Sequence, residues 1–186
     1  FKQLGTPAIM FHHGVKESLI EGNVLNDVGG NGIVVDWDIS WFTGESLKCK
    51  NIKISNNYIH NAGSVYFGSV GIFLGFTDSV TVEHNYLKNL PYTGISLGWH
   101  AKEDNQIMGN VIRHNLLDNV MNMLEDGGAI YTLEPQIGTQ IFNNYIKNVN
   151  RSPWNLGNEY NWPVAGVYLD NYSNNIEVFD NFIFNA

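Results

Sequence analysis

The sequence predicts an all-β protein, a right-handed parallel β-helix of about six rungs in which short strands stack along one axis. Two observations carry this prediction. Of the 186 residues, 26 are Asn and 19 are Gly, about a quarter of the chain, and neither residue favours the interior of a helix. A six-residue phrase built around one Asn also recurs six times. Stacking units that cannot bury their own apolar faces gives a solenoid, and parallel crossovers are right-handed as a rule.

The recurring phrase reads apolar, any, any, Asn, any, apolar, and we name its Asn the anchor Asn. The six anchors are Asn23, Asn57, Asn85, Asn115, Asn144 and Asn181, at spacings of 34, 28, 30, 29 and 37 residues. The residues three before and two after each anchor are aliphatic in all six copies. We expect each anchor to take the left-handed turn conformation. We also expect its side-chain amide to bond to the anchor of the neighbouring rung.

A second phrase follows the first in five of the six units and predicts a further strand in each rung. It opens with Gly or Ala and continues with alternating apolar residues, as in GIVVD (32–36), GIFLG (71–75), GISLG (94–98), AIYTL (129–133) and GVYLD (166–170). Alternation over four to eight residues is typical of a strand with one buried face. At about 4.8 Å per rung, six rungs make a rod on the order of 29 Å long.

Charge and composition argue against several classes of partner and cofactor. Ten Lys and Arg against 18 Asp and Glu give a net charge of -8, so we expect no nucleic-acid partner. The sequence holds no apolar run long enough for a membrane span, so no membrane partner is expected. A single cysteine, Cys49, cannot form an internal disulfide. We expect no metal or other cofactor. A Ca²⁺ site is possible, but the sequence does not signal one, because D-x-D occurs only at Asp36 and Asp38 and no glycine loop follows.

The two ends of the sequence suggest that the chain is one slice of a longer rod. It begins at FKQLG without an initiator Met and without a signal peptide, and it ends in the strand-like FIFNA. Stacked strands without caps would expose their edges. We therefore expect residues 1–186 to form a single β-helix domain, truncated at both ends. Its expected neighbours are further β-helix rungs or another domain of the full-length protein.

Function in solenoids usually lies where the repeat is interrupted. The inserted segments and excursions hold all five tryptophans, which are Trp37, Trp41, Trp99, Trp154 and Trp162. Aromatic rings stack on the C–H faces of sugars, and Asp, Asn and His bond sugar hydroxyls. We therefore expect a polysaccharide or oligosaccharide as ligand, with Trp99, His100, Tyr131, Trp154, Trp162, Tyr92 and Asp36 as candidate contacts. The alternative is that the tryptophans only pack the loops onto the rod.

Hydrolysis of a glycosidic bond needs two carboxylates, and the candidates are Asp126, Glu134 and Asp170. Glu134 and Asp170 fall on adjacent rungs at nearly the same height, with α-carbons about 5–8 Å apart. Asp126 lies seven residues out of phase with Asp170, about 23 Å along a straight chain. Their pairing therefore requires the 121–127 loop to fold over the face. Asp36 shares the phase of Asp170 but lies four rungs away, about 19 Å, too far for the same bond. For each of the three candidates the alternative is a turn residue.

The phrases GIFLGFTDSVTVEHNYLKNLPYTGISLGW (71–99), DGGAIYT (126–132) and GVYLDNYS (166–173) resemble right-handed parallel β-helix proteins of bacterial polysaccharide degradation. The sequence most resembles glycoside hydrolase family 141, which contains α-L-fucosidase and xylanase activities. The resemblance implies a secreted, extracellular or periplasmic protein. It also implies that Asp126 and Asp170 correspond to the two Asp residues proposed as the catalytic pair in that family.

Two other functions fit a parallel β-helix and stay open at this point. A polysaccharide lyase or epimerase abstracts a proton beside a uronate carboxylate. It needs a cation or Ca²⁺ together with a Lys or Arg base, for which the candidates are Lys88, Lys102, Arg113 and Arg151. A chain with a net charge of -8 would repel such a substrate. A non-catalytic binding or structural β-helix would carry aromatic loops without a working carboxylate pair.

Overall fold

The structure is a computed structural model that describes residues 1–37, 47–98, 107–149, 151 and 162–186. These residues form 22 strands and no α-helix, and none of them belongs to a helix that could span a membrane. The strands are β1 (Lys2–Leu4), β2 (Ile9–Phe11), β3 (Lys16–Glu21), β4 (Val24–Val28), β5 (Ile33–Val35), β6 (Cys49–Ser55), β7 (Tyr58–Ala62), β8 (Ile72–Leu74), β9 (Thr77–Asp78), β10 (Thr81–Glu83), β11 (Tyr86–Lys88), β12 (Ile95–Leu97), β13 (Ile107–Met108), β14 (Val111–Arg113), β15 (Leu116–Asp118), β16 (Gly127–Leu133), β17 (Gln136–Ile137), β18 (Thr139–Phe142), β19 (Tyr145–Lys147), β20 (Val164–Asp170), β21 (Ile176–Phe179) and β22 (Phe182–Phe184).

The described strands form three sheets, and the chain visits the sheets in turn. Sheet A has the order β1-β4-β7-β11-β15-β19-β22, and sheet B has the order β2-β5-β8-β12-β16-β20. Sheet C has the order β17-β13-β9-β6-β10-β14-β18-β21, with β3 also paired to β6. Neighbouring strands within each sheet are parallel and come from successive rungs. The predicted parallel β-helix is thereby confirmed.

The aliphatic residues around each anchor Asn build the interior of the rod. The aliphatic residue located three positions before the anchor is at most 4% exposed in the first five rungs, from Ile20 to Ile141. The one located two positions after it, from Leu25 to Ile146, is fully buried. The strand of the second phrase packs against them so closely that it must begin with a very small residue. A Cβ on Gly94 would lie 2.5 Å from Leu117 Cδ2, which explains the Gly at this position.

The anchor Asn side chains form the predicted ladder of hydrogen bonds along the rod. The amide nitrogen of each of the first five anchors donates to the Oδ1 of the anchor in the next rung, at 2.9 Å from Asn57 to Asn85 and at 3.0 Å from Asn85 to Asn115. The same Oδ1 also accepts the backbone N–H of the preceding anchor, as in the 3.0 Å bond from Asn85 to Asn115. Because these groups are buried, the ladder satisfies polar atoms that water cannot reach.

The predicted left-handed conformation of the anchors is wrong. None of the six anchors has a positive φ, whereas the residue before each anchor does. Left-handed residues recur at three positions per rung: six before, one before and four after the anchor. They are Glu17, Gly22, Asp27, Asn51, Asn56, Asn61, Ser79, His84, Asn89, Gly109, His114, Asn119, Gly138, Asn143, Asn148, Asn175, Asp180 and Asn185. Asn thus serves two purposes in this chain, as ladder residue and as turn residue.

Replacement of a left-handed Asn tests the second purpose. Asn143 is exposed and has φ 53°, a conformation that costs an L-residue other than Asn about 1 kcal/mol. We expect Asn143→Ala to lower the free energy of unfolding by about that amount, and Asn143→Gly to lower it by less. Urea denaturation followed by circular dichroism measures both. Equal losses in the two variants would contradict the assignment of strain to this turn.

Candidate functional site: a carboxylate and tyrosine cluster on sheet B

The candidate site lies on the outer face of sheet B. One residue of each strand faces away from the core there, because its two neighbours in the strand point inward. In strand order this outward column is Met10, Val34, Phe73, Ser96, Tyr131 and Tyr168. The column is apolar at Val34 and Phe73, which form a small cluster outside the main core. It becomes polar towards Tyr131 and Tyr168, beside the acidic residues.

Asp170 ends β20 and is held by two hydrogen bonds. The Tyr131 hydroxyl donates to Oδ2 at 2.7 Å, and the Asn171 N–H donates to Oδ1 at 2.8 Å. Tyr131 is only 6% exposed, and its ring lies edge-on to that of Tyr168 at 5.4 Å between centroids. The rings and hydrogen bonds fix the carboxylate of Asp170 on the outer face of the sheet.

Asp126 enters the cluster through a tight turn just before β16. Its backbone is left-handed with φ 61°, and the Tyr92 hydroxyl donates to its carbonyl oxygen at 2.6 Å. Segment 121–124 folds back onto the preceding rung, as in the 3.0 Å bond from the Met121 N–H to the Tyr92 carbonyl. A Cβ on Gly127 would lie 2.9 Å from atoms of Tyr92, Thr93 and Met121. The close approach therefore requires the Gly that follows Asp126.

Asp126 and Asp170 lie within electrostatic range of each other. Burial raises the pKa of the Asp126 carboxyl above its ordinary value, and the charges of Asp170 and Glu125 raise it further. Burial also raises the pKa of Tyr92 to about 12, with contributions from both aspartates. Tyr131 and Tyr168 likewise have pKa values raised by burial and by the same two carboxylates. The arrangement holds a carboxyl that tends to keep its proton near an oriented carboxylate.

Because the pKa of Asp126 is raised in the folded protein, we expect the free energy of unfolding to depend on pH. A carboxyl whose pKa is higher in the folded than in the unfolded state binds more protons when folded, so it lowers stability as pH rises through that pKa. We therefore expect Asp126→Asn to be more stable than the wild type at pH 7, with the difference shrinking as pH falls through the raised pKa and lost below about pH 4, the ordinary pKa of Asp. Thermal unfolding at pH 7 and pH 3.5 checks this. A variant that is less stable at pH 7 would contradict it.

Glu134 does not pair directly with Asp170. The strand register matches Asp170 with Leu133, and the Glu134 N–H donates to the carbonyl of Asn171 at 3.0 Å. Glu134 therefore lies one residue beyond the level of Asp170, the offset that counting from Ala129 and Gly166 predicts, at a left-handed turn with φ 66°. The two residues lie on neighbouring strands near the same level, as expected. Glu134 is at the turn that follows β16 and does not belong to the strand.

The other predicted contacts are scattered along sheet B. By strand register Asp36 is level with Asp170 along the strand direction but lies four strands away, as the phase predicts. Trp162 is half-exposed at 49%, and its carbonyl accepts a bond from Arg151 at 2.9 Å. Trp99, His100 and Trp154 lie outside the described residues. The structure therefore brings Tyr92, Tyr131, Asp126 and Asp170 together but leaves Asp36 four strands away. Trp162 directly precedes Pro163, whose carbonyl accepts the N–H of Gly127 at 3.1 Å beside Asp126.

Sequence reasoning missed Tyr168 and Glu125. Tyr168 stands beside Tyr131 in the register, so alignment of the second phrases of the two rungs could have found it. Glu125 precedes Asp126 in the chain, and its charge helps to raise the pKa of Asp126. This influence follows from the sequence itself, because neighbouring carboxylates in a chain repel each other.

Two groups of described side chains have the composition of a metal site. One contains Glu83, His84 and His114, and the other contains His12, His13 and Asp36. In the first group Glu83 already binds two cations, Lys53 Nζ at 2.7 Å and Arg113 Nε at 2.7 Å. These cations lower the pKa of Glu83, and they would repel a metal ion. The carboxylate and tyrosine cluster belongs to neither group.

The comparisons with known proteins agree with this architecture. A solved structure named "Glycoside hydrolase" matches 97% of this chain with a TM-score of 0.72 and 21% sequence identity. The chain spans 35% of the length of that protein, and at this identity the likeness shows the fold alone. No curated protein matches the sequence. The family described as "Right handed beta helix region" matches residues 4–183, so the chain belongs to the right-handed β-helix family.

Proposed function

We propose that the protein is a glycoside hydrolase that uses Asp126 and Asp170 as its catalytic carboxylates. The observation that carries the proposal is the electrostatic coupling of these two residues on one face of the rod. Retaining and inverting glycosidases both use a pair of carboxyl groups, one of which acts as an acid with a raised pKa. The resemblance of the sequence to glycoside hydrolase family 141 and the name of the structural neighbour support the same reaction class.

In this proposal the two aspartates have different roles. Asp126 is the general acid, because burial and the neighbouring carboxylates raise its pKa and keep its proton available for the leaving sugar oxygen. Asp170 is the base or nucleophile, because the Tyr131 hydroxyl and the Asn171 N–H orient its two oxygens. Glu134 follows β16 at the same end of the sheet and is the candidate for contacts with sugar hydroxyls.

Exposed aromatic rings beside sheet B offer contacts for an oligosaccharide. Trp37 is 56% exposed and lies 5.5 Å from the buried ring of Phe73, and Trp162 is 49% exposed just before β20. An apolar surface that leads to hydroxyl and carboxylate groups suits a chain of sugar rings, whose faces are apolar and whose edges are polar. We propose a polysaccharide or its oligosaccharide fragments as substrate, outside the cytoplasm.

The raised pKa values of the tyrosines speak against a lyase that uses tyrosine as its base. A general base works best when its pKa lies near the operating pH, whereas Tyr92 and Tyr168 are raised to about 12. Of the cationic candidates, Arg113 lies on β14 in sheet C and is bound to Glu83. The hydrolase therefore fits the described cluster better than the lyase does.

The pH profile of hydrolysis tests the proposal. The acid must be protonated, so we expect activity on xylan or an α-L-fucoside to fall as pH rises through the raised pKa of Asp126. Release of reducing sugar across pH 3–9 measures the profile. A flat profile, or a product with an unsaturated sugar end detected by ultraviolet absorbance, would contradict hydrolysis. Binding without turnover on all substrates would indicate a binding module.

A further inference from the structure

His12, His13 and Asp36 form a compact group of potential metal ligands at the other end of sheet B. Nδ1 of His13 lies 3.2 Å from Oδ1 of Asp36, and Nδ1 of His12 lies 4.0 Å from the same oxygen. One ligand atom from each residue lies within 4.8 Å of the others. The two imidazole rings are stacked at 3.7 Å between centroids, so both present their nitrogen edges near the carboxylate.

Strand register explains why these residues meet. Phe11 at the end of β2 pairs with Val35 at the end of β5, so His12 and Asp36 leave two neighbouring strands at the same height. The Asp36 N–H donates to the Phe11 carbonyl at 2.8 Å, which extends the ladder to the ligand itself. Both His13 and Asp36 have positive φ angles, 33° and 59°. The turns thus aim three side chains from two rungs at one point.

We propose that His12, His13 and Asp36 bind one divalent transition-metal ion of the Zn²⁺ class. Two imidazoles and one carboxylate suit Zn²⁺ and its neighbours, whereas Ca²⁺ and Mg²⁺ prefer oxygen ligands alone. Ligands about 2.0–2.1 Å from a tetrahedral Zn²⁺ lie roughly 3.4 Å from one another. The His13–Asp36 distance of 3.2 Å already meets this requirement.

The different exposure of the three ligands also fits a metal site. Asp36 is 1% exposed and supplies a fixed, buried charge. His12 is 48% exposed, so it can close the remaining gap by a small side-chain movement. A site with one ligand at the surface leaves its fourth position accessible to water or to a ligand oxygen.

A metal ion at this point would fasten the first rung to the second. Strand β2 has a single neighbour in sheet B, which is β5, so its attachment depends on few contacts. An ion held by residues from both strands would stabilise the folded state by binding it preferentially. The site lies four rungs from Asp170, about 19 Å, so metal binding and hydrolysis can succeed or fail independently.

Titration of the chelator-treated protein with ZnCl₂ by isothermal calorimetry tests this inference. We expect one Zn²⁺ per chain and an increase in melting temperature on binding. His12→Ala and His13→Ala each remove one ligand, so we expect each to weaken binding by at least about 10–100-fold, the loss that even an outer-shell change causes. Because His12 is half-exposed, His12→Ala should fold normally and keep the test decisive.

His84→Ala is the matched control, because His84 belongs to the other histidine group, which contains Glu83. We expect it to bind Zn²⁺ as the wild type does. CaCl₂ in place of ZnCl₂ should give no heat and no change in melting temperature. Absence of one-to-one Zn²⁺ binding, unchanged affinity in His12→Ala and His13→Ala, loss of affinity in His84→Ala, or equal affinity for Ca²⁺ would each overturn the proposal.

Discussion

Asp170→Asn is expected to reduce glycosidic hydrolysis by about 10²–10⁴-fold, the typical contribution of a positioned acid or base. The substitution keeps the size and shape of the side chain. Its amide oxygen can still accept the 2.7 Å bond from the Tyr131 hydroxyl, so the fold of the cluster should persist. What the variant lacks is the negative charge that activates water or attacks the sugar. Rates of reducing-sugar release at saturating substrate measure the effect.

A comparison of leaving groups separates the roles of the two aspartates. The dinitrophenolate group of a dinitrophenyl glycoside leaves without protonation, so hydrolysis of this substrate does not need the general acid. Asp126→Asn should therefore be severely impaired on xylan but close to wild type on the activated glycoside. Asp170→Asn should be impaired on both substrates. Reversal of this pattern would exchange the two roles, and full activity of either variant on xylan would rule it out as a catalytic residue.

Asp180→Asn provides the control for these two substitutions. Asp180 is exposed and left-handed with φ 51°, a conformation that Asn adopts readily. It lies in the turn after β21, in sheet C rather than sheet B. We expect full activity from this variant. A comparable loss there would show that activity responds to any loss of negative charge rather than to the catalytic pair.

The architecture was predictable because one physical requirement repeats six times. Each rung must bury aliphatic residues on both sides of its anchor, and the Asn ladder must satisfy the polar groups between them, so the pattern is visible in a single sequence. The handedness of each turn was less visible. The anchor Asn57 and the preceding Asn56 look alike in the sequence. Only the backbone conformation shows that Asn56 is the left-handed residue.

The candidate site was only partly predictable, because it depends on segments that break the repeat. Counting residues along a straight chain placed Asp126 about 23 Å from Asp170. The charge of Asp170 nevertheless acts on the carboxyl of Asp126 and raises its pKa, although Asp126 precedes β16 and Asp170 is level with Leu133 at the end of that strand. In the same way, Asp36 lies more than 20 residues from His12 and His13 along the chain, and only strand register brings it beside them.

Asn115→Ala is expected to produce a large loss of stability for a single polar side chain. The Asn115 amide donates to Asn144 Oδ1 at 3.0 Å and to the Val82 carbonyl at 2.9 Å. Its Oδ1 accepts the backbone N–H and the side-chain amide of Asn85, each at 3.0 Å. Alanine would leave the buried Asn85 N–H and the Val82 carbonyl without these partners. Each unsatisfied group costs about 1–3 kcal/mol.

The expected loss is therefore about 2–6 kcal/mol, a large part of the 5–15 kcal/mol that typically stabilises a domain. Asn23→Ala is the matched control in the same ladder. Asn23 donates to Asn57 Oδ1 at 2.9 Å but is half-exposed, so water can replace the bonds that it loses, and the expected cost is about 1 kcal/mol. Equilibrium urea denaturation of the two variants measures the difference. Equal destabilisation would mean that neither the burial of Asn115 nor the two bonds accepted by its Oδ1 add to the stability of the ladder.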